Sequence, residues 1–214
     1  MTIAEDTAKI LLEIKAVTLD SEKPYRYASG ILSPIYCDNR ILISDVTKRE
    51  KIISFFIQKI KENNLKFDIV AGVATAGIPH AAWIAEKLKK PMIYIRSSAK
   101  DHGKHNLIEG RLEKWKKVLV IEDLISTGGS TIDAVNAVRE ASGIVTDCMA
   151  IFTYDMKKAI DRFEEADCTL HTLSSFSILI DVAGKKDYLN KDAKEKVLKW
   201  NKDPAGWGKK MGYE

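Results

Sequence analysis

Val118-Leu-Val-Ile-Glu-Asp-Leu-Ile-Ser-Thr-Gly-Gly-Ser130 is the stretch on which the reading of the chain turns. Val118 to Ile121 is an apolar run of the kind a strand buried on both faces requires. Two acids, Glu122 and Asp123, end that run. A loop of Ser126, Thr127, Gly128, Gly129 and Ser130 follows, and then a helix carrying Ile132, Val135 and Val138 at helical spacing. In open α/β sheets, ligands bind outside the carboxyl ends of the strands. Glycines let the backbone approach a phosphate, and a helix amino terminus offers free N–H groups and the positive end of its dipole. The hydroxyls of Ser126, Thr127 and Ser130 add donors, so the segment reads as a cradle for a phosphate monoester. Carboxylates would repel that phosphate, so the acids should face ribose hydroxyls or positive charge developing on a sugar. The plainer reading is a pair of solvated acids before an ordinary glycine turn. The succession of acids, hydroxyls and glycines favours the site.

Outward from this segment, strands alternate with helices. Phe67–Val73, Met92–Ile95, Val118–Ile121, Ile144–Phe152 and Cys168–Leu173 read as strands, with helices near 45–63, 78–90, after the glycine loop and over 156–166. Such alternation implies parallel crossovers and a sheet covered on both faces. Residues 3–18 read as an amphipathic helix with Ile10, Ile14 and Val17 on one face. Pro24 to Arg40 reads as turns and short strands, and the chain from Ser174 as helical with a Trp/Gly/Lys-rich tail. Trp200, Pro204 and Trp207 in that tail are expected to pack rather than react. The expected organisation is one α/β domain over 1–214: an amino-terminal helix and hood to about 45, a core from about 46 to 180, and a carboxyl-terminal helical appendage from about 181.

The bulk numbers exclude several classes. The 214 residues are 45% hydrophobic and 30% charged, an ordinary globular composition. A net charge of +4 from 34 basic and 30 acidic residues is too balanced to suggest a nucleic-acid binder, for which a concentrated basic face is expected. Cys37, Cys148 and Cys168 form no C-x-x-C pair and are read as reduced thiols in a cytoplasmic setting. The amino terminus lacks the uninterrupted apolar stretch of a signal peptide or membrane span.

A second informative stretch is Arg96-Ser-Ser-Ala-Lys-Asp-His-Gly-Lys-His-Asn106. It is almost devoid of apolar residues and so reads as a surface loop. Arg96, Lys100, His102 and Lys104 could surround a pyrophosphate, with Gly103 letting the loop fold over a reaction that must exclude water. The alternatives are a solvated charged loop, or a metal site at Asp101, His102 and His105; no metal ligand is assigned, since a loop-borne H-x-x-H lacks rigid support. Gly72 and Gly77 have the outer spacing of a Walker loop, but Ile78 and Pro79 stand where Lys and Ser/Thr are needed.

At these motifs the chain resembles a known family. The strand, acid pair and loop at 118–130 are similar to the signature by which type I phosphoribosyltransferases bind phosphoribosyl pyrophosphate (PRPP). Arg96 with Ala99 to Gly103 resembles the catalytic loop of the orotate phosphoribosyltransferases. Ser29-Gly-Ile-Leu-Ser-Pro-Ile-Tyr-Cys-Asp-Asn-Arg40 resembles their amino-terminal motif, and Gly72-Val-Ala-Thr-Ala-Gly-Ile-Pro79 their pyrophosphate loop. The resemblance implies the type I phosphoribosyltransferase fold: an α/β structure whose central, mostly parallel sheet is flanked by helices, with a small hood from the amino-terminal segment. It implies PRPP and orotate as substrates, Mg²⁺ held mainly through PRPP and water, and a homodimer sharing the 97–106 loop between subunits. The implied catalytic residues are Lys100, His102, Glu122 and Asp123. The implied substrate-binding set is Arg96, Lys100, His102, Glu122, Asp123, Leu124, Ile125, Ser126, Thr127, Gly128, Gly129 and Ser130. Three lysines found in some members are replaced here by Ala28, Ala76 and Ser97, so their roles are not transferred. For the arginine that grips the orotate carboxylate in some members, Arg26 is the candidate.

The expected mechanism breaks the anomeric carbon–oxygen bond before the base nitrogen bonds, through an oxocarbenium-like state that needs positioning and electrostatics rather than a protein nucleophile. The alternatives are transfer to another base, or a PRPP-sensing regulator of the same fold. A bifunctional enzyme that also decarboxylates the product is not expected at this length.

Overall fold

The computed structural model describes residues 1–27, 30–97 and 107–213. The chain runs through α1 (Ile3–Glu13), β1 (Val17–Leu19), β2 (Tyr25–Arg26), β3 (Leu32–Ser33), β4 (Ile35–Cys37), a 3-10 helix (Asn39–Ile43) and α2 (Val46–Glu62). It continues with β5 (Ile69–Val73), α3 (Gly77–Leu88), β6 (Met92–Ile95), β7 (Ile108–Glu109), β8 (Lys117–Ile125), α4 (Gly129–Glu140) and β9 (Ile144–Thr153). The last elements are α5 (Lys157–Glu165), β10 (Thr169–Ser175), α6 (Phe176–Lys185), α7 (Lys191–Lys202) and α8 (Trp207–Lys210).

Among the described residues, six strands form one sheet in the order β10-β9-β8-β5-β6-β7, parallel except for β7. The near-continuous apolar strands follow from cover on both faces. Leu119 and Ile121 of β8 join the core under α1, α2, α3 and α6, whereas Val118 and Val120 join the core under α4 and α5. A period of two thus divides one strand between two cores. The central position of β8, between β5 and β9, carries its carboxyl end to the middle of the sheet's upper edge.

Three readings of the sequence are corrected. The first helix stops at Glu13 rather than near 18: Lys15 takes a left-handed backbone (φ 57°), and Val17 to Leu19 pair antiparallel with Ile35 to Cys37. Val17 and Thr18 are β-branched, and tertiary pairing outweighs the helical spacing of Val17. The polar stretch after Ser97 closes with a short strand, β7, which pairs antiparallel with Tyr94 and Ile95 and covers an open sheet edge. The third apolar run does not end at its acids. β8 continues to Ile125, and Glu122 and Leu124 sit in register with Ala150 and Phe152 of β9.

The amino-terminal strands and the carboxyl-terminal helices hold one another. Trp200 of α7 is fully buried, and its indole N–H donates to the Leu32 carbonyl at 3.0 Å. Tyr27, Tyr154 and Phe176 pack around it, with ring centroids 5.7 to 6.4 Å from its own. Trp207 is buried against Tyr213, whose hydroxyl donates to the Ser21 carbonyl at 2.5 Å. The tail tryptophans are packing residues, as expected. Trp200→Phe should cost about 1 kcal/mol for the lost hydrogen bond, and Trp200→Ala roughly 3–5 kcal/mol for the cavity. Denaturant titration would measure both, and equal midpoints for the two variants would dismiss the cavity as the larger cost.

Candidate active site

The carboxyl end of β8 gathers groups from four segments. Glu122 is 6% exposed. One of its carboxylate oxygens accepts from the Asp123 N–H at 2.9 Å, and the other lies 3.5 Å from the Thr131 hydroxyl on the inner face of α4. Burial, reinforced by the neighbouring Asp123, pushes the Glu122 carboxyl up to about 9. Burial also raises Asp123. A buried carboxyl beside a half-buried one is costly to ionise, and this proximity favours the protonated form of Glu122.

The hood meets this pair through the 3-10 helix. Asn39, 1% exposed, donates from Nδ2 to the Asp123 carbonyl at 2.7 Å and accepts from the Cys37 thiol at 3.3 Å. Arg40 follows it, held by the Asp38 carboxylate at 2.6 and 2.8 Å, and its charge opposes the rise of Asp123. From the other side comes the Gly72–Pro79 loop. A Cβ at Gly77 would collide with the Ile121 carbonyl, so only glycine allows α3 to begin this close to the acids.

The glycine loop sits between β8 and α5. Gly128, at φ 77°, turns the chain into α4, which begins at Gly129, two residues earlier than the sequence suggested. A side chain at Gly128 would press on Phe163 at 3.3 Å. The Ser126 hydroxyl faces Met156 sulfur at 3.8 Å, and Arg162 Nη1 donates to the carbonyl and hydroxyl of Thr127 at 2.9 and 3.2 Å. No side chain caps the amino terminus of α4.

Of the residues singled out in the sequence, Glu122, Asp123, Leu124 and Ile125 lie on β8, and Ser126 to Ser130 lie directly beyond it. Arg96 follows β6, and its Nη1 lies 3.8 Å from Glu109; that one nitrogen has no hydrogen-bond acceptor among the described residues. Lys100, His102 and the rest of 98–106 lie outside the described residues, as do Ala28 and Ser29. Arg26 is exposed and donates to the Gly30 carbonyl at 3.1 Å. Nothing in the sequence singles out Thr131 or Arg162. Asn39 falls within the quoted amino-terminal motif, but its bond to Asp123 spans 84 residues, which local spacing cannot reveal. Among the described residues, no three His, Cys, Asp or Glu side chains cluster as a metal cage.

Residues 43–151 match the family described as phosphoribosyl transferase domain. The chain is 56% identical over 207 residues to the orotate phosphoribosyltransferase of Coxiella burnetii, covering 97% of this chain and 99% of that one. Among solved structures, Leishmania donovani UMP synthase aligns at TM-score 0.79 with 23% identity over 92% of this chain, which spans 42% of that longer one. Orotate phosphoribosyltransferase from Aeropyrum pernix aligns at TM-score 0.74 with 24% identity, covering 86% of this chain and 99% of that chain. These two alignments establish the type I phosphoribosyltransferase fold. With the fold shared and 56% identity sustained across nearly the whole length, the chain belongs to the orotate phosphoribosyltransferase family.

Proposed function

We propose that the carboxyl end of β8 is the seat of PRPP, with Glu122 and Asp123 on the ribose hydroxyls and Ser126 to Ser130 around the 5′-phosphate. As a member of its family the chain transfers ribose 5-phosphate from PRPP to orotate, giving orotidine 5′-monophosphate and pyrophosphate in pyrimidine biosynthesis. The observation that carries the placement is the pair of a buried Glu122 and a half-buried Asp123 at the strand end that leads into an uncapped helix amino terminus. Assays with PRPP, Mg²⁺ and orotate, uracil or adenine in turn test the activity. Product should form with orotate alone, and equal turnover of another base would overturn the assignment.

In this reading the ribose hydroxyls donate to the Glu122 and Asp123 carboxylates, and these bonds favour the ionised form of Glu122, whose proton passes to solvent as PRPP binds. The resulting negative charge lies beside the anomeric carbon as its bond to pyrophosphate lengthens, stabilising the oxocarbenium-like state. Leu124 and Ile125 contribute backbone to the seat, and the loop N–H groups and hydroxyls orient the phosphate. Arg96, Lys100 and His102 meet the departing pyrophosphate, His102 as proton donor. The hard oxygens of Glu122 and Asp123 suit Mg²⁺ reached through water and substrate, and the ion would supply charge neutralisation on pyrophosphate.

The organisation proposed with this chemistry is a single domain, with the amino-terminal hood and carboxyl-terminal appendage joined to the core, working as a cytoplasmic homodimer that shares the 97–106 loop. No described helix is long and apolar enough to cross a membrane.

Two outcomes follow. A carboxyl raised from 4.5 to about 9 on folding binds more protons folded than unfolded, so stability falls as pH rises between those values. The slope for one group is at most ~1.4 kcal/mol per pH unit. Denaturant midpoints of the protein without substrate from pH 5 to 9 should decline, and Glu122→Gln should flatten the decline; identical profiles would show Glu122 ionised in the folded protein. Lys100→Ala should lower kcat by on the order of 100-fold while orotate affinity changes little, and an unchanged kcat would remove the loop from the mechanism.

A further inference from the structure

We infer that Arg162, on α5 and outside every motif of the sequence, is a positioning residue for the phosphate seat. The inference rests on the reading that Ser126 to Ser130 hold the 5′-phosphate. Helix α5 touches three consecutive residues of that loop. Arg162 Nη1 donates to the Thr127 carbonyl at 2.9 Å and to the Thr127 hydroxyl at 3.2 Å. A Cβ at Gly128 would meet Phe163 at 3.3 Å and Ala159 at 3.5 Å, and one at Gly129 would lie 2.9 Å from Arg162 Nη1. The guanidinium therefore lies alongside the first residue of α4, against a backbone with no side chain to hold it off.

Three consequences follow from this geometry. A carbonyl turned toward a phosphate would repel it; Arg162 satisfies the Thr127 carbonyl on the α5 side, leaving the loop's N–H groups to face the anion. The Thr127 hydroxyl accepts from Arg162, so its own proton is free for donation to a phosphate oxygen, and the bond polarises it for that task. The cation also adds positive potential at the amino terminus of α4, where the dipole already favours an anion. Glycine at 128 and 129 gives the loop its close approach and also its freedom, and the bidentate hold of one arginine on Thr127 removes part of that freedom before substrate arrives.

The test compares Arg162→Met, Arg162→Lys and Ser130→Ala in the full chain. Each is assayed for KM of PRPP and orotate, for kcat, and for inhibition by ribose 5-phosphate and by pyrophosphate. Arg162→Met should weaken both PRPP and ribose 5-phosphate about tenfold, the equivalent of one charge-assisted hydrogen bond. Orotate and pyrophosphate, which do not use the loop, should be affected less than about twofold. Arg162→Lys keeps the charge but not the paired geometry and should fall between. Ser130→Ala tests the underlying reading. If it weakens ribose 5-phosphate while both Arg162 variants leave it unchanged, the inference about Arg162 is wrong and the seat stands. If ribose 5-phosphate binding is indifferent to all three, the seat itself is misplaced and the inference falls with it. A loss spread equally over PRPP, orotate and pyrophosphate would mean general loosening of the fold and would also overturn it.

Discussion

Two neighbouring carboxyls on the central strand of a parallel sheet are the constraint around which the upper edge of this molecule is arranged. Glu122 is nearly sealed from solvent, and what surrounds it can be read as provision for that burial: Thr131 on α4 and the Asp123 N–H, with burial itself raising its carboxyl. Replacing such groups with apolar ones would stabilise many folds. Their retention at a strand end, beside a glycine turn, is the kind of departure from an apolar core that a binding site makes.

The surroundings are supplied by segments far apart in sequence. Gly77 brings α3 against the strand, Asn39 brings the hood onto the Asp123 carbonyl, and Arg162 brings α5 onto the loop. Each uses one or two polar bonds or a single missing side chain to set the distance between two rigid elements. The sheet provides the stiffness, since parallel strands buried on both faces move little relative to each other, and the small contacts decide where the mobile chemistry is aimed.

How much of this could be read from the chain divides along physical lines. The strand at 92–95 and the alternation of strands and helices are written in local apolar periodicity, which registers burial directly. The acid pair and glycine loop were legible because their residue types make little sense in any other order. The end of α1 was not: Val17 sits at helical spacing from Ile10 and Ile14, yet pairs with Cys37 in a strand, a partner twenty residues away. The extension of β8 past its acids was hidden because charged residues mid-strand contradict the hydrophobic pattern, and a binding site is where that pattern is expected to fail. Asn39, Thr131 and Arg162 belong to the same class. Their roles exist only after the chain has folded back on itself.

The clasp between the two ends of the chain bears on how the molecule is made. Leu32 receives its hydrogen bond from Trp200 and Ser21 from Tyr213, across 168 and 192 residues. A ribosome releasing this polypeptide therefore delivers the strands and helices of the core before the two tail residues that complete the hold on the amino-terminal segment. Until the final turns of helix emerge, Leu32 and Ser21 lack these donors, and Tyr27 and Tyr154 lack the indole of Trp200 against which they pack.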